Sequence, residues 1–448
     1  MGSAADELVA YRHSTQCYDV SFAEVRGLQI AAMNERLQEH VARIQLVRFR
    51  ANEGGIAEIR DFADVVPLLL PHTAYKSYPE SFLVEERWDK LTRWLGTVTA
   101  YPVEGVDLDG VAGIDDWIAR LESVGHFVSC SSGTTGKSAM LDASRYDLEW
   151  APADNIRACT WATGIAPEHD RRFFALAPVA DAARNNIIRQ GVAEAYGSPQ
   201  VPWYRLPTPP ITIGSITRMI TLRKAIAEGT AMPGDIAEYD ATVATREKAV
   251  DDAVDATVDA LIAARGEKLF IMGMWGPLHK IAAAIRERGF GRGDFHPENM
   301  TSIGGGLKRA QLPPDYREVV LDTFNVRPEH NYQLYSMQEI NTVTPLCSAG
   351  RYHVPPWLVC LPLNRDADAL LPMDQGEVQG RACFFDVSMD ARWGGVISGD
   401  RISIDFGPCA CGAKSPSIRD DIVRYADLEG DDKISCSGTV DAYVRGLA

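Results

Sequence analysis

Ser129-Cys130-Ser131-Ser132-Gly133-Thr134-Thr135-Gly136-Lys137-Ser138 is a run of hydroxyls and glycines closed by a lysine, and it directly follows an apolar segment at 124–128. Small residues let a backbone wrap closely around a polyanion. Exposed N–H groups, hydroxyls and one ammonium can then hold phosphate oxygens. The stretch reads as a phosphate loop leaving a strand-like run, which points to nucleotide chemistry.

The surrounding pattern is that of an α/β chain. Residues 124–128, 173–178 and 268–273 read as short buried strands. Helical patterns alternate with them, at 247–265 with Gly266 as a stop and at 277–288 ended by Gly289. Residues 21–44 read as a helix opened by a Ser21/Glu24 capping box. Residues 62–96 read as short helices and loops broken by Pro67, Pro71 and Pro79. Residues 401–406 alternate like a half-exposed strand.

At 448 residues, the chain is longer than one core normally spans, so two or three subdomains are expected. The boundaries expected are a helical region at 1–104 packed on the core, an α/β core at 105–330, a nucleotide-site and metal-loop subdomain at 331–436, and a hinge remnant at 437–448. The formal charge is −16 with no Lys/Arg-rich block, which argues against a nucleic-acid or anionic-membrane surface. The N-terminus lacks the order of a signal peptide, no apolar run approaches a membrane span, and nine cysteines form an odd set. A cytoplasmic protein with reduced thiols is expected.

Two readings of the loop compete. The Walker A pattern needs a glycine where Ser131 stands. The alternative is Ser/Thr-Ser-Gly-Thr-Thr-Gly-x-x-Lys, which residues 131–136 match, with Lys137 arriving early. Three further motifs follow in order: Ser302-Ile303-Gly304-Gly305-Gly306-Leu307-Lys308, Tyr335-Ser336-Met337-Gln338-Glu339, and Ser398-Gly399-Asp400. A glycine triplet admits a planar ring to the backbone. A tyrosine four residues before a glutamate can stack on a base while the carboxylate reaches Mg²⁺. An acid after a glycine turn can accept ribose hydroxyls.

Taken together, the motifs resemble those of the adenylate-forming superfamily over roughly residues 128 to 441, most of all its phenylacetate–CoA ligase and acyl-protein synthetase branches. The resemblance implies the large N-terminal α/β domain of such enzymes, two α/β subdomains plus a small β subdomain. It implies attack of a carboxylate, expected to be a small aromatic acid, on the α-phosphate of MgATP. The acyl group would then pass to CoA, a carrier-protein thiol or an amine. By the same resemblance Ser132, Gly133, Thr134, Thr135, Gly136 and Lys137 hold phosphates, and Gly304, Gly305, Gly306 and Tyr335 hold adenine. Glu339 ligates Mg²⁺ and Asp400 holds the ribose. Ser336 and Gln338 replace the usual Gly and Thr, and the hinge Gly438-Thr439-Val440-Asp441 lacks the usual arginine. With Ala448 soon after that hinge, the mobile C-terminal subdomain is expected to be absent. A P-loop-like NTPase or kinase, and a non-catalytic or partner-dependent ATP-binding scaffold, stay open as alternatives. A homodimer is a further expectation.

Cys347-x5-His353 and Cys409-x-Cys411 supply three thiolates and an imidazole, a tetrahedral set that Zn²⁺ favours. With no ligand position open, the expected role is structural. Arg184, Asn185, Asn186 and Gln190 are candidate polar groups of an acid pocket or a solvated helix face, and His126 is either packed or near substrate.

Overall fold

A computed structural model of the chain describes residues 2–130, 137–177, 180–304, 311–374 and 376–429. The loop residues Ser132, Gly133, Thr134, Thr135 and Gly136, the glycines Gly305 and Gly306, and the hinge residues 437–448 lie outside the described residues.

Local chemistry sets the first long helix. Ser21 N–H donates to Glu24 Oε2 at 2.8 Å, closing the capping box ahead of Phe22–Arg43. Phe22, Val25, Gln29, Met33, Leu37 and His40 are buried along one stripe, each apolar member contributing about 1.5–3 kcal/mol of burial. Two polar side chains fix its seat: Gln29 Nε2 donates to Pro356 O at 2.8 Å and Arg36 Nε to Val387 O at 3.0 Å.

The chain divides into two compact units. One takes residues up to Asp154, Ala182–Arg184 and those from Ser336 on; the other takes Asn155–Asp181 and Asn185–Tyr335. In the first unit the strands Arg351–His353, Ser417–Arg419, Gly395–Asp405, Glu377–Asp386 and Leu358–Leu363 lie side by side in that order. Their pairings are antiparallel, with Phe384 opposite Val396 and Ile404 opposite Ile418. Leu70–Pro71 joins Gly395–Asp405 in parallel, and Val423–Arg424 joins it antiparallel. Leu358–Leu363 is buried throughout, as its unbroken apolar composition requires.

The second unit carries a parallel sheet in the order Tyr204–Arg205, Arg172–Ala175, Leu269–Gly273, Asn299–Ile303, Val326–Tyr335. Parallel strands need long crossovers and coverage. Here the helices Pro233–Ala263, Trp275–Glu287 and Tyr316–Thr323 pack Val258, Leu261, Leu278, Ile281, Ile285 and Val320 into a core with Phe174 and Ile271.

Two sequence expectations differ from the structure. The segment 124–128 is not a strand: Val124 caps the helix Ile114–Ser123, Gly125 turns at φ +95°, and extended pairing starts only at Phe127, whose N–H and C=O both bond Ala143. The apolar letters there belong to a helix stop. The helix expected at 247–265 starts at Pro233 and runs for 31 residues, because Pro at its first turn and Asp235 on the Met232 N–H open it early.

Candidate functional site

Glu339 stands on a loop held by charges from distant parts of the first unit. Arg184 Nη1 donates to Gln338 O at 3.2 Å and its Nη2 to Ile340 O at 2.7 Å. Arg392 Nη2 donates to Gln338 O at 3.1 Å. Asp386 Oδ2 accepts the N–H groups of Asn341 and Thr342, both at 2.9 Å, and its Oδ1 accepts Ser388 N–H at 3.0 Å. Asp147 accepts from Asn341 Nδ2 and from the N–H groups of Asp390 and Ala391. Asp154 Oδ2 accepts Val343 N–H at 2.8 Å. Burial pushes the Asp386 carboxyl up against these hydrogen bonds, and burial, then the nearby Arg392 charge, brings Arg184 down to about 10. Such a network fixes a backbone because every unmet buried partner costs about 1–3 kcal/mol. Glu339 itself is 8% exposed, and its carboxylate has no hydrogen bond among the described residues.

Asp400 lies on Gly395–Asp405, where Ser398 Oγ donates to its Oδ2 at 3.0 Å. The Lys137 ammonium donates to the Tyr78 carbonyl and lies 4.8 Å from the Tyr78 ring centroid, while Tyr78 OH donates to Ser138 O at 2.7 Å. In the second unit Ile303 pairs with Gln333, so Gly304 and Tyr335 leave adjacent parallel strands at the same carboxyl end. Open α/β sheets bind ligands at that end. A Cβ at Gly304 would meet nothing within 4 Å.

The sulfur and nitrogen ligand atoms of Cys347, His353, Cys409 and Cys411 all lie within 4.8 Å of one another. Cys347 Sγ is 3.9 Å from Cys409 Sγ, and Cys411 Sγ is 3.4 Å from His353 Nε2. A zinc ion with thiolates at about 2.3 Å and an imidazole at about 2.0 Å has tetrahedral edges of about 3.8 Å (S–S) and about 3.5 Å (S–N). Both close pairs fit the edges of such a centre. Two turns of one design deliver the thiols. In each, the cysteine N–H bonds the carbonyl four residues on (Arg351, Ala413), and a glycine N–H (Gly350, Gly412) returns to the cysteine carbonyl. Both glycines have positive φ, +72° and +99°, where other residues are strained. Ser415 Oγ sits 2.8 Å from His353 Nδ1 and turns Nε2 toward the sulfurs. Burial, then Arg351, holds His353 down to about 4, so its ring is neutral.

The remaining candidates are structural in position. Arg184 is a buried clamp on the Glu339 loop. Asn185 Nδ2 donates to Ala180 O, Asn186 Nδ2 to Asp181 and Gln190 Nε2 to Glu194, all local ties. His126 is 4% exposed, with Nδ1 2.8 Å from Asp142 Oδ2 and Nε2 3.1 Å from Pro102 O. Sequence reasoning misses Asp147, Asp154, Asp386 and Arg392, which bear on the site only through tertiary contacts, and the segment 75–78. No helix among the described residues is long and apolar enough to cross a membrane.

Comparison of the structure with solved proteins finds 2-hydroxyisobutyryl-CoA ligase. Its open conformation, in complex with 2-HIB-AMP and CoA, matches with a TM-score of 0.53 at 12% identity, over 92% of this chain and 75% of that one. Its thioesterification state with the same two ligands matches with a TM-score of 0.54 at 13% identity, over 91% and 70%. No family model matches the sequence and no curated protein matches it. At such identity the likeness speaks for the fold alone: the chain shares the fold of that CoA ligase.

Proposed function

We propose that this chain activates a carboxylic acid with ATP and passes the acyl group to a thiol. An acid oxygen forms a bond to the α-phosphorus while the bond to the bridging oxygen breaks and pyrophosphate leaves. A thiol then attacks the acyl carbon and AMP leaves. CoA is the favoured acceptor, because the structural neighbours were solved with an acyl-AMP and CoA; a carrier-protein thiol or an amine is the alternative. The favoured substrate class is a small aromatic acid, on the motif resemblance.

The observation that carries the reading is Glu339: a little-exposed carboxylate without a hydrogen-bond partner among the described residues, on a loop pinned by arginines and aspartates, in a chain of this fold. A rigid acid that makes no hydrogen bond of its own suits a cation that bridges phosphates. Mg²⁺ held there would neutralise charge on the transferring phosphate. In the first unit residues 132–137 would hold the outer phosphates and Asp400 the ribose hydroxyls. In the second, residues 304–306 and Tyr335 would take the adenine. The thiol–imidazole cluster would hold structural Zn²⁺, since every position is filled by a protein ligand.

Acid-dependent ATP–pyrophosphate exchange with benzoic, aminobenzoic, phenylacetic, cinnamic and fatty acids tests this. Exchange with one class is expected. ADP release without exchange would replace the reading with a kinase or ATPase, and nucleotide binding without turnover would replace it with a scaffold.

A further inference from the structure

The short strands on either side of the phosphate motif are paired: Ser129–Cys130 runs antiparallel to Met140–Leu141, with Cys130 opposite Met140. Lys137 and Ser138 stand shortly before the second strand, and one residue from far earlier in the chain grips both. Tyr78 OH donates to Ser138 O at 2.7 Å. The Lys137 ammonium donates to the Tyr78 carbonyl and lies 4.8 Å from the Tyr78 ring centroid.

Tyr78 is itself firmly seated. It is buried, and its ring packs edge-on at 5.0 Å against Trp94 of the helix Trp88–Val98. Trp94 Nε1 donates to Ser77 Oγ at 3.0 Å, and Ser77 Oγ donates to Ala74 O at 2.7 Å. The turn His72–Lys76, just before it, packs on Met140–Leu141 and on Gly395–Asp405. A lysine beside small residues samples many rotamers, and a ligand that needs its charge in one place bears the cost of ordering it. A carbonyl and the electron-rich face of an aromatic ring together fix an ammonium without cancelling its charge.

We infer that Tyr78 is a positioning residue for Lys137: its ring face and carbonyl hold the ammonium where the outer phosphates of ATP meet it, and its hydroxyl tethers the adjoining Ser138. The inference rests on the adenylation reading, in which residues 132–137 hold those phosphates. Tyr78 touches no substrate and acts through the lysine. It lies in none of the motifs read from the sequence.

The test is calorimetric titration of the full chain with MgATP and with AMP, for wild type, Lys137→Met, Tyr78→Phe and a chain with Tyr78 replaced by a trifluorinated phenylalanine. Phenylalanine keeps the ring face and the carbonyl. Fluorination keeps shape and burial but removes the negative face that attracts a cation. From Tyr78→Phe to the fluorinated ring, MgATP binding should weaken about 5-fold. AMP, which lacks the outer phosphates, should bind both alike. Combined with Lys137→Met, the fluorinated ring should cost MgATP nothing further, because it acts through the ammonium. Equal losses for MgATP and AMP, or a loss that persists without the ammonium, overturn the assignment in favour of core packing. Unchanged MgATP binding with the fluorinated ring overturns it, and so does tighter binding, which would mean that Tyr78 holds the lysine away from phosphate. These results leave adenylation standing as long as Lys137→Met itself weakens MgATP. Wild type that binds MgATP no more tightly than AMP, or Lys137→Met that binds MgATP as wild type does, overturns the phosphate-loop reading and the positioning role with it.

Discussion

Around Cys347 the chain is held by a few atoms beside glycine turns; around Glu339 it is held by charges drawn from Asp147, Asp154, Arg184, Asp386 and Arg392. The two regions share a unit and both bury polar atoms. In the cluster, geometry comes from two repeated turns, and closure depends on what the sulfurs bind. Burial and the adjoining thiols push Cys411 up to about 12, so a cation bound there would have to draw its proton off. In the loop, no single contact sets the shape: the aspartates accept N–H groups and the arginines donate to carbonyls, so the loss of any one leaves partners unmet. If the proposed zinc closes the cluster, that region fails all at once, whereas the loop around Glu339 fails by degrees.

The sharpest way to break the contrast is at the sulfurs. Cys409→Ser with Cys411→Ser should cost bound zinc and stability together, by about 4 kcal/mol if the centre acts as a cross-link over its loop. Metal analysis alongside thermal melting checks it, and a metal-free wild type melting normally would remove zinc from the account. Asp386→Asn comes next. It turns an amide donor toward Asn341, Thr342 and Ser388, and about 3 kcal/mol should be lost in urea titration. Glu339→Gln should leave melting unchanged and lower Mg²⁺-dependent exchange about 100-fold, or about 2.7 kcal/mol; retained activity would end its proposed metal role.

The smallest effect belongs to His126. Burial works against its charge, but the Asp142 hydrogen bond and carboxylate, with the Pro102 carbonyl, outweigh it, so the folded pKa lies above 6.5. That contribution is complete below about 6.5 and is lost as pH rises through the folded value. Melting temperature should therefore fall modestly as pH rises above about 6.5, and His126→Gln should flatten that slope.

How much of this is legible in the sequence follows from where each signal resides. The metal-ligand candidates are visible because their spacing is local and their chemistry rare. Cys-x-x-Gly occurs at both thiol turns, a repeat that strengthens the signal once noticed. The Ser21/Glu24 box marks its helix to within a residue. Asp147 and Asp386 look like ordinary acids, since nothing near them in the chain names Asn341 or Thr342 as partners. The segment 124–128 misleads because its composition is strand-like while Gly125 is a helix stop.

The split of the first unit along the chain bears on its birth at the ribosome. Leu70–Pro71 must find Val396 and Ile397, which are synthesised after the whole of the second unit. At about 5–20 residues per second, that partner emerges tens of seconds later. Phe270 and Met300, by contrast, pair within the second unit and can close their sheet while the earlier strand still waits. The nascent chain therefore exposes an unpaired, apolar edge at Leu70 throughout that interval, and that edge is where a chaperone would be needed most.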